Sequence, residues 1–119
     1  MEKVVGFGGF VLRSAQPEVL AQWYRDMLGI DLVRTSADQQ PWMTEGGAVV
    51  FAPFARDISY FAADKAFMLN FKVRDLAAIV AQLETAGVEV NSLPEMPGIG
   101  KFAHLIDPEG TPIELWEPA

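Results

Sequence analysis

The chain has 119 residues and a formal net charge of −7, and half of its residues are hydrophobic. These values predict one globular domain with a substantial core, and an acidic surface of this kind repels nucleic-acid phosphates. No apolar run approaches the ~20 residues that a membrane-spanning helix needs, and the first residues show no signal-peptide pattern. Cysteine is absent, which excludes disulfides and thiolate metal ligands. We therefore expect a cytoplasmic protein that binds neither nucleic acid nor membrane.

The first half of the chain predicts a strand, a helix and three further strands in that order. Residues 4–13 form an apolar stretch that Gly6, Gly8 and Gly9 interrupt, and a strand is predicted over about 7–13. Pro17 favours the start of a helix, and Gly29 is a typical C-terminal cap. Between them, apolar residues at three- and four-residue spacing predict the buried stripe of the helix: Leu20, Trp23, Tyr24, Met27 and Leu28. The three further strands are predicted over 30–34, 41–44 and 48–54.

The second half predicts the same order of elements after a long loop. That loop, over 55–65, carries Tyr60 and Phe61 and is a candidate lid or contact surface. A strand over 67–73 is followed by a helix that Asp75 caps and that ends before Gly87. A strand over 88–91 and a C-terminal hairpin complete the half.

The two halves therefore repeat each other. The helix starts Gln16 and Asp75 are 59 positions apart, and the helix ends Gly29 and Gly87 are 58 positions apart. We expect an α+β fold in which two βαβββ modules, over about 4–54 and 66–118, form a half-open barrel. The whole of residues 1–119 would be one domain, with a groove between the modules.

The C-terminal hairpin is predicted from the turn sequence Asp107-Pro108-Glu109-Gly110, which suits a type I turn. If Asp107 faces Thr111 across the hairpin, Leu105 faces Ile113 and His104 faces Glu114. Because side chains alternate along a strand, the apolar residues share one face. The other face carries a mixed set: Phe102, His104, Glu114 and Trp116. Aromatic rings beside titratable groups are typical of a ligand pocket.

The residues in this order resemble the vicinal oxygen chelate superfamily, which includes glyoxalase I, bleomycin-resistance proteins, fosfomycin-resistance enzymes, extradiol dioxygenases and methylmalonyl-CoA epimerase. The run Trp23-Tyr24-Arg25-Asp26-Met27-Leu28-Gly29 is similar to the first helix of that family. Three stretches resemble its second half: 71–76, 86–88 and 107–115. The resemblance spans nearly the whole chain and implies the paired βαβββ fold. It also implies a homodimer, as in many relatives.

The resemblance further implies a divalent metal held by up to four side chains, usually histidine, glutamine and glutamate. Glu114 occupies the fourth of these positions. The other three fall on residues that are poor ligands for a hard cation: Gly9 (or Gly8), Met68, and Val50 or Phe51. Only one of four ligands is retained, so the cofactor is unassigned and a metal is disfavoured, although His104 beside Glu114 could supply a second ligand.

Two functions follow from this pattern. The first is a metal-free protein of the bleomycin-resistance type that binds a small organic molecule. Its groove would be lined by the aromatic Phe102, Trp116 and Trp42 together with Asn70, Met68 and Lys72. The second is a metal-dependent lyase, isomerase or dioxygenase in which Glu114 and His104 are catalytic, with Glu114 as metal ligand or base. A third, weaker interpretation is a partner-binding module that uses residues 55–65 for assembly.

Overall fold

The computed structural model describes residues 1–30 and 42–119, and the strands assigned there all lie in the second half of the chain. The elements are α1 (Pro17–Leu28), β1 (Leu69–Lys72), α2 (Leu76–Thr85), β2 (Asn91–Ser92), β3 (Gly100–Ile106) and β4 (Pro112–Pro118). The four strands form one sheet in the order β1-β4-β3-β2. The pair β1 and β4 is parallel, and the other pairs are antiparallel. The described part is therefore an α+β structure with a mixed sheet.

The hairpin of β3 and β4 has the predicted register. Leu105 pairs with Ile113 and His104 pairs with Glu114, while the Asp107 N–H donates to the Thr111 carbonyl at 3.0 Å. Gly110 has a φ of 85°, a left-handed conformation that suits a three-residue loop with a bulge. Because the register is fixed, the prediction of which residues share a face of the sheet is confirmed.

Both predicted helices are confirmed, and each ends as the sequence indicates. Gly29 adopts the left-handed conformation with a φ of 69°, and its N–H donates to the Arg25 carbonyl. That geometry closes α1 in the manner of a glycine C-cap. At the start of α2, the Asp75 carboxylate accepts from the Ala78 N–H at 3.0 Å, which satisfies one of the unpaired donors of the first turn.

The core lies between the helices and one face of the sheet. Its buried residues are Leu76, Leu83, Ala103, Leu105, Ile113 and Leu115. The side chains of Trp23 and Tyr24 pack against this cluster, as their place on the helical stripe predicts. Since neighbouring residues of a strand face opposite sides, the core positions force His104 and Glu114 onto the other face.

The first-half strands differ from the prediction. Residues 7–13, 42–44 and 48–54 form no strand in the structure, while Pro41 and most of the strand predicted over 30–34 lie outside the described residues. The physical reason is the lack of a partner: Val11 and Phe51 are 96% and 82% exposed, so these apolar segments bury little surface and form no ladder. In the second half, the strand predicted over 67–73 is observed as the shorter β1. The strand predicted over 88–91 overlaps the observed β2 only at Asn91.

Neither α1 nor α2, nor any other described segment, is a helix of the length and apolar character required to cross a membrane.

Candidate functional site

The centre of the candidate site is the carboxylate of Glu114, which lies in the middle of β4. The register of the sheet places Asn70 of β1 on one side of it and His104 of β3 on the other. Paired residues of adjacent strands point to the same face, so the three side chains converge on the face opposite the core. Glu114 is only 8% exposed, and a buried carboxylate needs hydrogen-bond donors to be stable there.

Three side chains donate to the Glu114 carboxylate. The Asn70 amide donates to Oε1 at 2.7 Å, and His104 Nε2 lies 2.8 Å from Oε2. The hydroxyl of Tyr60 donates to the same Oε2 atom. Because an ionised carboxylate only accepts, the His104 ring carries a hydrogen on Nε2 in this arrangement. Both oxygens of Glu114 are therefore engaged by protein donors.

Tyr60 reaches the sheet from the loop that follows residue 54. Its ring stands edge-on to the His104 ring, with centroids 4.9 Å apart and planes at 89°, and it also contacts Phe54. Burial raises the pKa of the Tyr60 phenol, and the hydrogen bond to Glu114 and the negative charge of that group raise it further. The phenol consequently stays protonated at neutral pH and remains a donor.

A cavity of about 290 Å³ adjoins this cluster. Its wall combines the end of the β3–β4 hairpin with the loop that carries Tyr60. The apolar lining consists of Phe61, Ala62, Met68, Leu105, Ile106, Gly110 and Pro112. The polar lining consists of Tyr60, Lys65, Glu89, Asn91 and His104. A concave site with apolar walls and a few convergent polar groups is the usual form of a small-molecule site.

The predicted site residues divide into three groups by position. Glu114, His104 and Asn70 are in contact, and Met68 lines the adjoining cavity. Phe102 and Trp116 form a stacked pair, with ring centroids 6.1 Å apart and planes at 2°. This pair lies on the same face of the sheet as His104 and Glu114: Phe102 is two residues before His104, and Trp116 is two residues after Glu114. It does not line the cavity.

The structure does not bring the remaining two predicted residues to the cavity. Lys72 Nζ donates to the Ala48 carbonyl at 2.8 Å. The Trp42 ring packs against Phe71, with centroids 6.3 Å apart, and Phe71 packs against the core on the opposite face of the sheet from Glu114. The sequence makes Trp42 a candidate only because its side chain is aromatic. In the structure, the contact with Phe71 holds the ring away from the cavity.

Comparison with known proteins now decides the family. The sequence model of the glyoxalase-like domain matches residues 9–116. The chain belongs to this glyoxalase-like family. The match includes the hairpin with Glu114 and also the first half of the chain, so the resemblance to the vicinal oxygen chelate superfamily is confirmed. No curated protein matches the chain in sequence.

Solved structures similar to this glyoxalase-like chain agree on the fold. TnmS3, an antibiotic binding protein from Streptomyces sp. CB03234, is 24% identical with a TM-score of 0.58, covering 89% of this chain and 88% of its own. Lactoylglutathione lyase from Agrobacterium tumefaciens is 17% identical with a TM-score of 0.64, covering 98% and 96%. A glyoxalase/bleomycin resistance protein from Streptomyces sp. CB03234 is 30% identical over only 44% of this chain and 46% of its own, and its TM-score of 0.40 is too low to support a conclusion.

The described part of this glyoxalase-like chain does not offer the donor set that the superfamily's metal requires. Within residues 1–30 and 42–119, no three His, Cys, Asp or Glu side chains cluster closely enough to hold an ion. Apart from Glu114, the expected ligand positions carry Gly9 (or Gly8), Met68, and Val50 or Phe51. None of these side chains offers the oxygen or imidazole ligand that a hard divalent cation prefers. Since both Glu114 oxygens already accept hydrogen bonds, the described residues around Glu114 do not fit a divalent metal.

The sequence did not identify two groups of residues in this site. The sequence marks Tyr60 only as an aromatic residue of a candidate lid. Its hydroxyl contact with Glu114 spans 54 positions of the chain, and no periodic pattern encodes such a contact. Lys65, Glu89 and Asn91 line the cavity without belonging to any motif. The one available signal was that the loop over 55–65 is long, since long loops frequently carry function.

Proposed function

We propose that this glyoxalase-like protein binds a small organic molecule in the cavity beside His104, without a metal at the family position. One observation carries the proposal: the carboxylate that the family would use as a metal ligand is instead bonded by Asn70, Tyr60 and His104 at the wall of a cavity of about 290 Å³. In this arrangement Glu114 fixes the orientation of two cavity residues, Tyr60 and His104, and the cavity provides the binding volume.

The cavity lies at the lower end of the volume range of small-molecule pockets, which is roughly 300–1,000 Å³. A compact ligand, or one part of a larger ligand, would therefore fill it. Met68 and Leu105 provide apolar contacts, and Asn91 and His104 provide hydrogen-bonding groups. The stacked Phe102 and Trp116 would extend the binding face along the strands for a longer ligand.

The fold shared with an antibiotic binding protein over 89% of this chain makes an antibiotic-like organic molecule a reasonable class of ligand. The same likeness of fold supports the proposal of two βαβββ modules around a half-open barrel within one domain, the first over about 4–54. Homodimer formation and a cytoplasmic location stay predictions. Lys72 and Trp42 stay proposed as more distant ligand contacts.

The sharpest test uses the fact that His104 is the only histidine of the chain, so its ring signals in an NMR spectrum need no assignment. Aromatic fragments would be screened for those that shift the His104 signals and raise the melting temperature. Ile106→Trp places a large ring at the cavity wall and should abolish both effects. Val19→Trp is the matched control, because Val19 is 60% exposed on α1. The proposal fails if no fragment shifts His104, or if Ile106→Trp binds as the wild type does.

Titration with Zn²⁺, Ni²⁺ and Mn²⁺ tests the metal-free part of the proposal separately. We expect no rise in melting temperature with any of the three ions, because a ligand that binds the native state tightly must stabilise it. Near-stoichiometric, tight binding of one ion would overturn the metal-free site and would favour the metal-dependent enzyme.

A second candidate function, an enzyme that moves a proton, is favoured by the contact of His104 with Glu114. A carboxylate that holds one imidazole nitrogen protonated leaves the other nitrogen as a base, and His104 lies at the cavity wall. His104 would then take a proton from the bound molecule, as a lyase or isomerase requires. Deuterium exchange of a bound fragment's C–H groups in D₂O tests this function: it should be abolished in His104→Gln, and its absence in the wild type argues against an enzyme.

A further inference from the structure

Lys65 is the cationic side chain of the cavity wall. Its backbone N–H donates to the Ala62 carbonyl at 3.0 Å, so a tight turn holds the residue in place. At the tip, the ammonium group lies against the β3–β4 turn: a Cβ atom added at Gly110 would be 3.2 Å from Lys65 Nζ. The lysine therefore spans from the loop to the hairpin, and the absence of a side chain at Gly110 leaves room for its ammonium group.

The surroundings of Lys65 do not neutralise it. Among the described residues, the ion pairs within 4.0 Å are Arg74–Glu45, Lys101–Glu117 and His104–Glu114, and none involves Lys65. Glu89 lines the same cavity, but it is exposed, whereas Lys65 is half-buried. Water screens an exposed charge more strongly than a partly buried one, so the ammonium group is the stronger charge inside the cavity.

The carboxylate of Glu114, which adjoins the cavity, does not oppose a negative ligand there. It is outside the cavity lining, and its two oxygens accept from Asn70, Tyr60 and His104. These donors offset its negative charge locally. A protein with a formal net charge of −7 thus presents one half-buried cation to the interior of its cavity.

We infer that the ligand of this cavity is an organic acid whose carboxylate pairs with Lys65. This inference rests on the proposed function and specifies its ligand class. The apolar part of the acid lies against Met68, Leu105 and Pro112, and the carboxylate accepts a charge-assisted hydrogen bond from Lys65 Nζ. Asn91, on the same cavity wall, can donate its amide hydrogens to the acid.

The test is a series of three probes that share one ring and differ in charge: naphthalene-2-carboxylate, naphthalene-2-carboxamide and naphthalen-2-ylmethylammonium. Binding is measured from the shift of the His104 ring signals during titration. We expect the wild type to bind the carboxylate about tenfold more tightly than the amide, because a hydrogen bond between two charged groups is stronger than a neutral one. The ammonium probe should bind most weakly.

Four variants locate the origin of this preference. Lys65→Gln should reduce the preference for the carboxylate to less than about twofold, and Lys65→Arg should keep it. Lys3→Gln changes the net charge equally at an exposed position and should keep it as well. Glu84→Gln changes the net charge in the opposite direction at an exposed position of α2 outside the cavity lining, and it should keep the preference too.

Each outcome decides a different claim. If the wild type binds carboxylate and amide equally, the organic-acid inference is wrong while the binding cavity stands, and this comparison needs no variant. If Lys65→Gln keeps the full preference, Lys65 is not the partner of the carboxylate and the inference is again overturned. If none of the three probes shifts His104, the failure extends to the proposed function itself.

Discussion

Two carboxylates are buried on the same hairpin, and the comparison between them separates a structural role from a functional one. Asp107, at the turn, is 3% exposed, and Glu114, in mid-strand, is 8% exposed. From residues 1–30 and 42–119, each accepts three hydrogen bonds. One of the three comes in each case from a tyrosine hydroxyl in an earlier part of the chain: Tyr24 donates to Asp107 and Tyr60 to Glu114. Burial and hydrogen-bond number therefore do not distinguish them.

The identity of the donors does distinguish them. Asp107 Oδ1 accepts from the backbone N–H groups of Glu109 and Thr111 at 2.8 and 3.0 Å, and these belong to its own turn. Within the part of the chain that the structure describes, Glu114 accepts only from side chains, which come from a loop and from two other strands. Backbone donors form with the turn itself, whereas three side chains that converge beside a cavity are a set of the kind that ligand sites contain. Asp107 holds the fold, and Glu114 organises the proposed site.

Substitution of Asp107 should give the largest loss of stability. Asp107→Ala leaves the Tyr24 hydroxyl and two backbone N–H groups without their acceptor, and unpaired buried donors are costly. We expect a decrease of about 3 kcal/mol in the free energy of unfolding, measured by urea denaturation. A decrease below about 1 kcal/mol would mean that water replaces the carboxylate and that the turn does not depend on it.

Substitution of Glu114 should affect the site more than the fold. Glu114→Gln keeps the shape but puts an NH₂ group among three donors, and we expect a decrease in stability of about 1 kcal/mol. His104 can relieve the conflict by accepting at Nε2, which moves its hydrogen to Nδ1. The ¹⁵N shifts of the single histidine report that change of tautomer directly. An unchanged tautomer would instead mean that the glutamine oxygen replaces Oε2 as the acceptor and that Asn70 turns its own amide oxygen toward the new NH₂ group. A loss of stability as large as that of Asp107→Ala would contradict a role that is mainly in the site.

The two tyrosines provide the next comparison, because they are the only ones in the chain. Burial raises the pKa of both phenols, and the hydrogen-bonded carboxylates raise it further. In the unfolded chain, a tyrosine ionises near its ordinary pKa of 10.0. The stability that each native phenol contributes is therefore complete below about pH 10 and decreases as the pH rises above it.

Tyr24→Phe should decrease stability by about 1 kcal/mol at neutral pH, and Tyr60→Phe should decrease it less, because Tyr60 is 38% exposed. Above pH 10, the free energy of unfolding should decrease less steeply with pH in each variant than in the wild type. The difference from the wild-type slope should be larger for Tyr24→Phe. Urea denaturation at pH 8 and at about pH 11 measures both effects. Equal alkaline slopes in all three proteins would contradict the assignment of buried, protonated phenols.

The same contrast shows what the sequence could predict. The register of the hairpin followed from Asp107-Pro108-Glu109-Gly110 and from the alternation around it, and that register alone placed His104 beside Glu114. Local turn chemistry and a period of two encode such contacts. The contact of Tyr60 with Glu114 joins distant parts of the chain, and neither propensity nor periodicity contains that information.

In the first half of the chain, the sequence instead predicts strands that the described residues do not form. Its apolar residues predicted strands over 7–13 and 48–54, yet Val11 and Phe51 remain exposed, whereas Ile113 and Leu115 are 0% and 1% exposed. Strand propensity is mainly a measure of packing against neighbouring strands. Apolar composition therefore predicts a strand only where a partner edge exists, and β4 has such partners on both sides.

The smallest expected effect belongs to Glu109, the exposed acid two residues after Asp107 in the chain. The Ser14 hydroxyl lowers its pKa by donating to Oε2 at 2.5 Å, and the Ala15 N–H contributes by donating to Oε1 at 3.1 Å. These contacts join the hairpin turn to the segment before α1. Because the native pKa lies below the unfolded value of 4.5, the stabilisation is present above pH 4.5 and is lost as the pH falls through the native pKa.

Glu109→Gln should therefore lower the melting temperature slightly at neutral pH, and the difference from the wild type should shrink in acid. Water screens this exposed carboxylate, so its effect should be much smaller than that of Asp107→Ala. Glu84→Gln, at an exposed position of α2, is the control and should show no such pH dependence. A difference between Glu109→Gln and the wild type that grows in acid would mean that these contacts do not stabilise the ionised form. Among the described residues, the hydrogen bond of Tyr24 with Asp107 would then be the side-chain hydrogen bond that stabilises the contact of α1 with the hairpin.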